Sequence, residues 1–271
     1  MQPAAFHPSR HYIGSVLIDR GHRKSPKTSD KQIQPSIPSG PPTRFLQAKT
    51  AKTMQPITLY SHPIGPNPWK VAIILSALHI PYEMIMIDFT EVKKEPYVSL
   101  CPNGRLPTIV DPNKNITLWE SGAIVNYLIE TYDQSHQLSY DTFPERHQLQ
   151  QWLHFQVSGQ GPYYGQLGWF RRQPEQVPQA IERYMAEIRR VMSVLDQVLT
   201  DREWLVGDKC TYADLSFVPW QDLVPLVVGD QRVVQELTEQ FPHVEAWMQR
   251  MRARPEVQKV LKEKSEAMAS N

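Results

Sequence analysis

The segment Ser61–Leu75 reads SHPIGPNPWKVAIIL, a polar loop punctuated by prolines that turns directly into an apolar helix pattern. Asn67 suits a helix N-cap, because its side-chain oxygen accepts from orphan backbone N–H groups, and Pro68 suits the first helical position, where no donor is needed. The spacing predicts a helix over Pro68–Leu78 with Asn67 as its cap. A helix N-terminus carries partial positive charge and free donors, so an anion docked against Asn67 is stabilised. The Asn67 amide can also donate to that anion without any proton transfer. Tyr60 and Ser61 are the hydroxyl candidates of the same loop, with Tyr60 equally suited to the core.

Further along, Glu120 and Ser121 sit where a strand gives way to a helix. Read alone, Ser121 caps the helix Gly122–Tyr132 and Glu120 adds a favourable charge near its start. Pro107 closes the run PNGRLP (Pro102–Pro107). On residue type alone its peptide bond is trans, since cis is only about 5% of X–Pro bonds in folded proteins. Arg105 is either a solvated strand-edge cation, a structural ion-pair partner or a contact for a ligand carboxylate. Lys93 and Lys94 read as surface charges. The stretch SGQGPYYGQLGWFRR (Ser158–Arg172) clusters glycines with Tyr163, Tyr164, Trp169 and Phe170. It is either an adaptable aromatic wall beside a ligand or a glycine-broken loop packing its aromatics into the core. Thr211 and Asp214 form a capping arrangement that concerns folding. Arg183, in the amphipathic stretch Ile181–Arg190, faces solvent on pattern alone.

The elements that must hold these residues follow from the pattern. Strands are expected at Ile57–Tyr60, Tyr82–Ile87, Thr108–Val110 and Ile116–Trp119, with helices at Pro68–Leu78 and Ser121–Tyr132 and a short one between the second and third strands. After Tyr132 strand signals stop, and helix-patterned segments follow at Pro144–Gly159, Pro178–Leu199, Tyr212–Leu226, Pro242–Met251 and Pro255–Glu266. A mixed α/β module, β-α-β-α-β-β-α, followed by an all-helical one implies two domains. They are expected at 54–133 and 143–271, joined by the polar linker 134–142.

Residues 1–53 hold seven prolines, nine Lys/Arg and only two Asp/Glu, with no helical or strand periodicity. This basic Pro/Ser-rich leader reads as disordered, with an organelle-targeting segment as the alternative. The remainder has 20 basic and 26 acidic residues, a balance that speaks against nucleic acid as a partner. The longest apolar stretch, Val71–Ile80, is about half the length that spans a bilayer, so no membrane association is expected. Cys101 and Cys210 are too few and too far apart for a disulfide framework, which suits the reducing cytoplasm. The nine histidines show no metal-ligand spacing, and neither a phosphate-binding glycine loop nor a G-x-S-x-G nucleophile turn occurs. No metal is expected.

The element order and three separated motifs resemble the glutathione transferase superfamily, a thioredoxin-like domain followed by a helical one. PNGRLP resembles the loop whose final proline is cis in that family, WESGAI (Trp119–Ile124) its γ-glutamyl-binding turn, and CTYADLS (Cys210–Ser216) its late helix-capping motif. GPNPWKV resembles the branch containing the yeast nitrogen-catabolite regulator and its bacterial disulfide-reducing relatives, where an asparagine faces the glutathione sulfur. The resemblance covers about residues 55–262. It implies glutathione as co-substrate, with Asn67 at the sulfur, Leu106 pairing its backbone with the cysteinyl unit beside a cis Pro107, and Glu120 with Ser121 at the γ-glutamyl end. It further implies Lys93 near the glycyl carboxylate, Arg105 near the tripeptide, and Arg183 reaching glutathione, either within the chain or across a homodimer interface. Tyr163, Tyr164 and Trp169 would form the electrophile site. The expected activity is conjugation of glutathione to an apolar electrophile, or reduction of a disulfide or peroxide, in metabolite biosynthesis or detoxification. The alternative is a non-enzymatic regulatory or binding protein on the same scaffold.

Overall fold

A computed structural model describes residues 54–270, so the expectations for residues 1–53 fall outside the described residues. β1 (Ile57–Ser61) alternates in burial, with Ile57, Leu59 and Ser61 turned inward. It pairs in parallel with β2 (Tyr82–Met86) and antiparallel with β3 (Thr108–Asp111), which in turn pairs antiparallel with β4 (Ile116–Trp119), giving the order β2-β1-β3-β4. Parallel neighbours need a crossover, and α1 (Pro66–Ala77) supplies it. With α2 (Tyr97–Leu100) and α3 (Ser121–Tyr132) the thioredoxin-like domain has the expected order.

Two helix starts differ from the expectation. α1 begins at Pro66, not Pro68, and its cap is Gly65, without a side-chain hydrogen bond. Prolines at the first and third positions remove two of the four donors that a helix start leaves unpaired, so a capping oxygen is less needed. Asn67, at the second position, is thereby released from capping. At α3 the cap position belongs to Glu120, at φ 72°, while Ser121 is the first helical residue and caps nothing with its side chain.

The second half is helical: α4 (Glu145–Phe155), α5 (Gly161–Arg171), α6 (Pro178–Leu199), α7 (Tyr212–Gln221), α8 (Val224–Val228), α9 (Gln231–Gln240), α10 (Pro242–Arg252) and α11 (Pro255–Ala269). A π-helical turn, Gln156–Gln160, joins α4 to α5. The segment Ser158–Arg172 is thus mostly helix and not a glycine-broken loop. Pro162 explains the wide turn, because its ring would clash with the carbonyl four residues back in a regular α-helix. The single helix expected over Tyr212–Leu226 is two, since Pro225 lacks the N–H that would continue α7. α9 was not expected; its cap, Asp230, accepts from the Arg232 N–H at 2.9 Å.

Every residue of α7 is buried, and it packs on α1, α4 and α10. Its start is fixed by Asp214, buried like its partners, which accepts from the Thr211 N–H and hydroxyl, the Leu205 N–H and the Trp247 indole. The stretch between α3 and α4 is also tied down: Asp133 accepts from the Gln137 and Leu138 N–H groups and the Ser139 hydroxyl.

α1 is the element that both halves share. It packs on β1 and α3 on one side and on α7 and α11 on the other, and its residues Pro68–Leu75 are buried without a break. That run includes Lys70, whose Nζ donates to Gln156 Oε1 at 2.5 Å; Gln156 donates to Gln160, and Gln160 to the Phe217 carbonyl. Burial pushes the Lys70 amine down to about 7, with the charge of Glu120 pulling the other way. Between about pH 7 and 10.5 the unfolded chain therefore holds a proton that the folded chain has shed, so folding stability rises with pH across that window. Lys70→Met should flatten this rise, by up to about 1.4 kcal/mol per pH unit at its steepest, when denaturant midpoints of both proteins are measured against pH.

Candidate active site

A cavity of about 540 Å³ opens between the thioredoxin-like domain and α5 and α7. The β1–α1 loop enters it held by Trp69, whose indole donates to the His62 and Pro63 carbonyls at 3.2 and 2.9 Å, and by Phe89 stacked on His62 at 3.7 Å between ring centroids. From this loop Asn67 lines the cavity. The hydroxyl candidates do not: Ser61 is fully buried in β1, and Tyr60 packs edge-on against Tyr97. The partner of Asn67 is Trp220 of α7, whose Nε1–H donates to Asn67 Oδ1 at 3.0 Å. An indole N–H can only donate, so the amide oxygen is the atom that faces it, and the two Nδ2 hydrogens remain for another acceptor.

The opposite wall is built from Asn103 to Pro107. Gly104 adopts φ 58°, and a Cβ there would lie 2.9 Å from the Val92 carbonyl, so the loop closes tightly over the segment carrying Lys93. The Leu106–Pro107 bond is cis. Leu106 lines the cavity, and strand pairing of β3 begins only at Thr108, beyond Leu106. Tyr97 fastens the loop from below, its hydroxyl donating to the Arg105 carbonyl at 2.7 Å and lying 2.8 Å from Thr108 Oγ1. Burial pushes that phenol up to about 12, so it stays a donor.

Glu120 and Ser121 complete this wall at the start of α3. Asn103 Nδ2 donates to Glu120 Oε1 at 3.4 Å, orienting the carboxylate. Ser121 is buried, with its N–H among the unpaired donors of the helix start. Arg105 also lines the cavity and is exposed. Lys93 is exposed beside Gly104 but outside the lining, and Arg183, on α6, is exposed and likewise outside the lining.

The helical wall presents one face of α5, with Gly161, Pro162, Gly165, Gln166, Trp169 and Arg172 at helical spacing. Of the three aromatics expected here, Trp169 lines the cavity and is 51% exposed. Tyr164 lies on the opposite face, fully buried, its hydroxyl donating to Gln221 Oε1 at 3.1 Å. Tyr163 turns toward α6, near Tyr184 and under Arg190. The other aromatic lining comes from Phe89, Trp119 and Trp220, which sequence reading did not select. Trp220 had no sequence signal beyond its place in a buried helix, whereas the period of α5 would have separated Trp169 from Tyr164 once the segment was read as a helix.

No cluster of three or more His, Cys, Asp or Glu side chains suited to a metal occurs among the described residues. None of their helices is long and apolar enough to cross a membrane.

Comparison with known proteins identifies the family. Residues 55–130 match the family described as "Glutathione S-transferase, N-terminal domain" and residues 164–255 its "C-terminal domain". A glutathione S-transferase-like protein of Aspergillus fumigatus, tpcF, is 49% identical over 76% of this chain and 95% of its own length. Among solved structures, the glutathione transferase URE2P6 of Phanerochaete chrysosporium in complex with oxidised glutathione is 43% identical, with a TM-score of 0.75 over 79% of this chain and 98% of that one. Ure2p5 of the same organism, cocrystallised with 1-(S-glutathionyl)-2,4-dinitrobenzene, is 39% identical with a TM-score of 0.73 over 79% and 97% of the two chains. With both domain types matched and close to half the residues of one relative identical, the chain belongs to the glutathione S-transferase family.

Proposed function

We propose that this protein is a glutathione-dependent transferase in which the Asn67 amide holds and activates the glutathione sulfur. The observation that carries the reading is the committed Asn67 oxygen, which leaves the amide N–H₂ as a donor at the edge of the cavity, between its polar wall and its aromatic one. A hydrogen-bond donor at the start of α1, reinforced by the helix dipole, favours the thiolate over the thiol. A free thiol has a pKa of about 8.5, so lowering it by one unit multiplies the thiolate fraction near neutral pH several-fold. No side chain takes the proton, which passes to water.

The tripeptide would lie along the Asn103–Pro107 wall. Leu106 offers its backbone N–H and C=O to the cysteinyl unit as an added strand. Glu120 accepts from the γ-glutamyl ammonium, and the start of α3 at Ser121 donates to the neighbouring carboxylate. Arg105 and Lys93 are the cations available to the glycyl carboxylate. In this division residues 54–133 bind glutathione and 143–271, with Trp169 at the cavity, receive the electrophile. In conjugation the thiolate forms a C–S bond to the electrophilic carbon, and the leaving group departs with its bonding electrons or a conjugated acceptor takes them and a proton. Cocrystallisation of the neighbour Ure2p5 with 1-(S-glutathionyl)-2,4-dinitrobenzene, the product of such a conjugation, supports this reading.

A second reading, disulfide reduction, draws support from the oxidised glutathione bound by URE2P6. There the thiolate attacks one sulfur of a glutathione mixed disulfide, forming oxidised glutathione and releasing the other sulfur as a thiolate. A homodimer is part of the proposal, with Arg183 the residue to examine at its interface.

Calorimetry of the full-length protein with glutathione, followed by assays with a chloronitrobenzene and with a glutathione mixed disulfide, tests these readings. Binding with conjugation supports the first, and binding with disulfide turnover alone supports the second. Absence of binding would reduce the protein to a scaffold for a partner. Asn67→Ala should lower turnover roughly tenfold, the cost of one preorganised hydrogen bond to the developing charge. Asn67→Asp keeps an acceptor for Trp220 but sets a negative charge beside the sulfur; turnover should fall further and the bound thiol's pKa should rise. Trp169→Ala should raise KM for an aromatic electrophile about fivefold through lost apolar contact while leaving KM for glutathione in place. Sedimentation at micromolar concentration should give twice the monomer mass.

A further inference from the structure

We propose that Trp220 is the positioning residue for sulfur activation: its indole N–H fixes which end of the Asn67 amide meets the glutathione sulfur. The inference rests on the role given to Asn67 above and adds to it a residue 153 positions away, in the other domain. An asparagine amide has two faces of opposite character, nearly equal in shape, one donating and one accepting. Turned one way, Asn67 offers N–H₂ to a thiolate; turned the other, it offers an oxygen that repels it. Within α1 nothing selects between them, because the side chain makes no capping bond and the neighbouring residues are prolines. The Trp220 bond at 3.0 Å does select, since the reversed amide would set its N–H₂ against the indole N–H, donor against donor.

Trp220 is itself held firmly. Its ring is 8% exposed and is met edge-on by Tyr164 at 6.4 Å between centroids. Two glycines one turn apart on α5 make room for it: a Cβ at Gly161 would lie 3.4 Å from the indole nitrogen, and one at Gly165 would lie 3.3 Å from the far edge of the ring. Tyr164, between them in sequence, is in turn bonded to Gln221, the residue after Trp220. The donor therefore has little freedom to follow a rotating amide. Thiol activation in this protein depends on the docking of α7 against α1.

Trp220→Phe removes the N–H and keeps most of the ring. The bound thiol's pKa is read from thiolate ultraviolet absorbance across pH, together with kcat and KM, in the full-length protein and in Asn67→Ala and the double variant. The expected result is a higher bound-thiol pKa and a roughly three- to tenfold lower kcat/KM in Trp220→Phe, the scale of one hydrogen bond lost. Glutathione affinity at a pH where the bound thiol is protonated should be unchanged. In the Asn67→Ala background, Trp220→Phe should add nothing, because the indole would act only through the amide. An equal loss in both backgrounds overturns the proposal and makes Trp220 a wall of the electrophile site. An unchanged pKa and rate in Trp220→Phe, with Asn67→Ala impaired, also overturns it while leaving the role of Asn67 intact. If Asn67→Ala is itself unimpaired, both fall together.

Discussion

Enclosure of α1 over Pro68–Leu75 is the constraint around which the molecule is arranged. The helix lies between the sheet and α3 on one flank and α7 and α11 on the other. Polar groups along a helix so enclosed must be answered from within the protein. Two prolines delete donors, the Asn67 oxygen takes the Trp220 indole, and Lys70 reaches Gln156 in the π-helical turn. Each of the last two bonds crosses from one domain to the other. The seam between the domains therefore carries polar contacts along α1, beside those of Tyr82 with Glu263 and of Asn126 with Gln150, and the Asn67 contact borders the cavity.

The cavity inherits its division of labour from this seam. The wall toward the sheet is mostly backbone and short polar side chains, at Asn103, Leu106 and the start of α3, where rigid elements end. The wall toward the helical domain is aromatic and faces solvent more freely at Trp169. A fixed polar wall suits a constant tripeptide, and an apolar wall with exposed rings suits a second substrate of less definite shape.

Most of the fold was legible in the sequence because its elements are strongly patterned. Strands β1 and β4 and helices α3 and α6 lie within a residue of where alternation and periodicity put them. The misreadings have local causes. Asn67 beside Pro68 has the composition of a cap, but Pro66 can also open a helix, and only the enclosed backbone decides between them. Ser158–Arg172 has the glycine and proline content of a loop, yet Gly161 and Gly165 are there to admit an indole, not to break a helix. Asn67, Glu120 and Ser121, which line the cavity, were legible as motifs. Trp220 was not, since a hydrogen bond across 153 residues leaves no trace in spacing. The aromatic lining was legible only in part, because Tyr163, Tyr164 and Trp169 differ in which way a helix turns them and not in chemistry.

The π-helical turn between α4 and α5 has a bearing on that last point. Such a turn carries one residue more than the α-helical path it replaces, and one residue corresponds to about 100° of rotation around a helix axis. It therefore acts as an angular offset between α4, which is anchored to the core, and α5, which faces the cavity. Were the same residues to follow a regular α-helix, each residue of α5 would take the place of the one after it, setting Tyr164 and Gly168 where Gly165 and Trp169 now stand. The one extra residue of this turn thereby decides which α5 side chains, Trp169 among them, border the cavity.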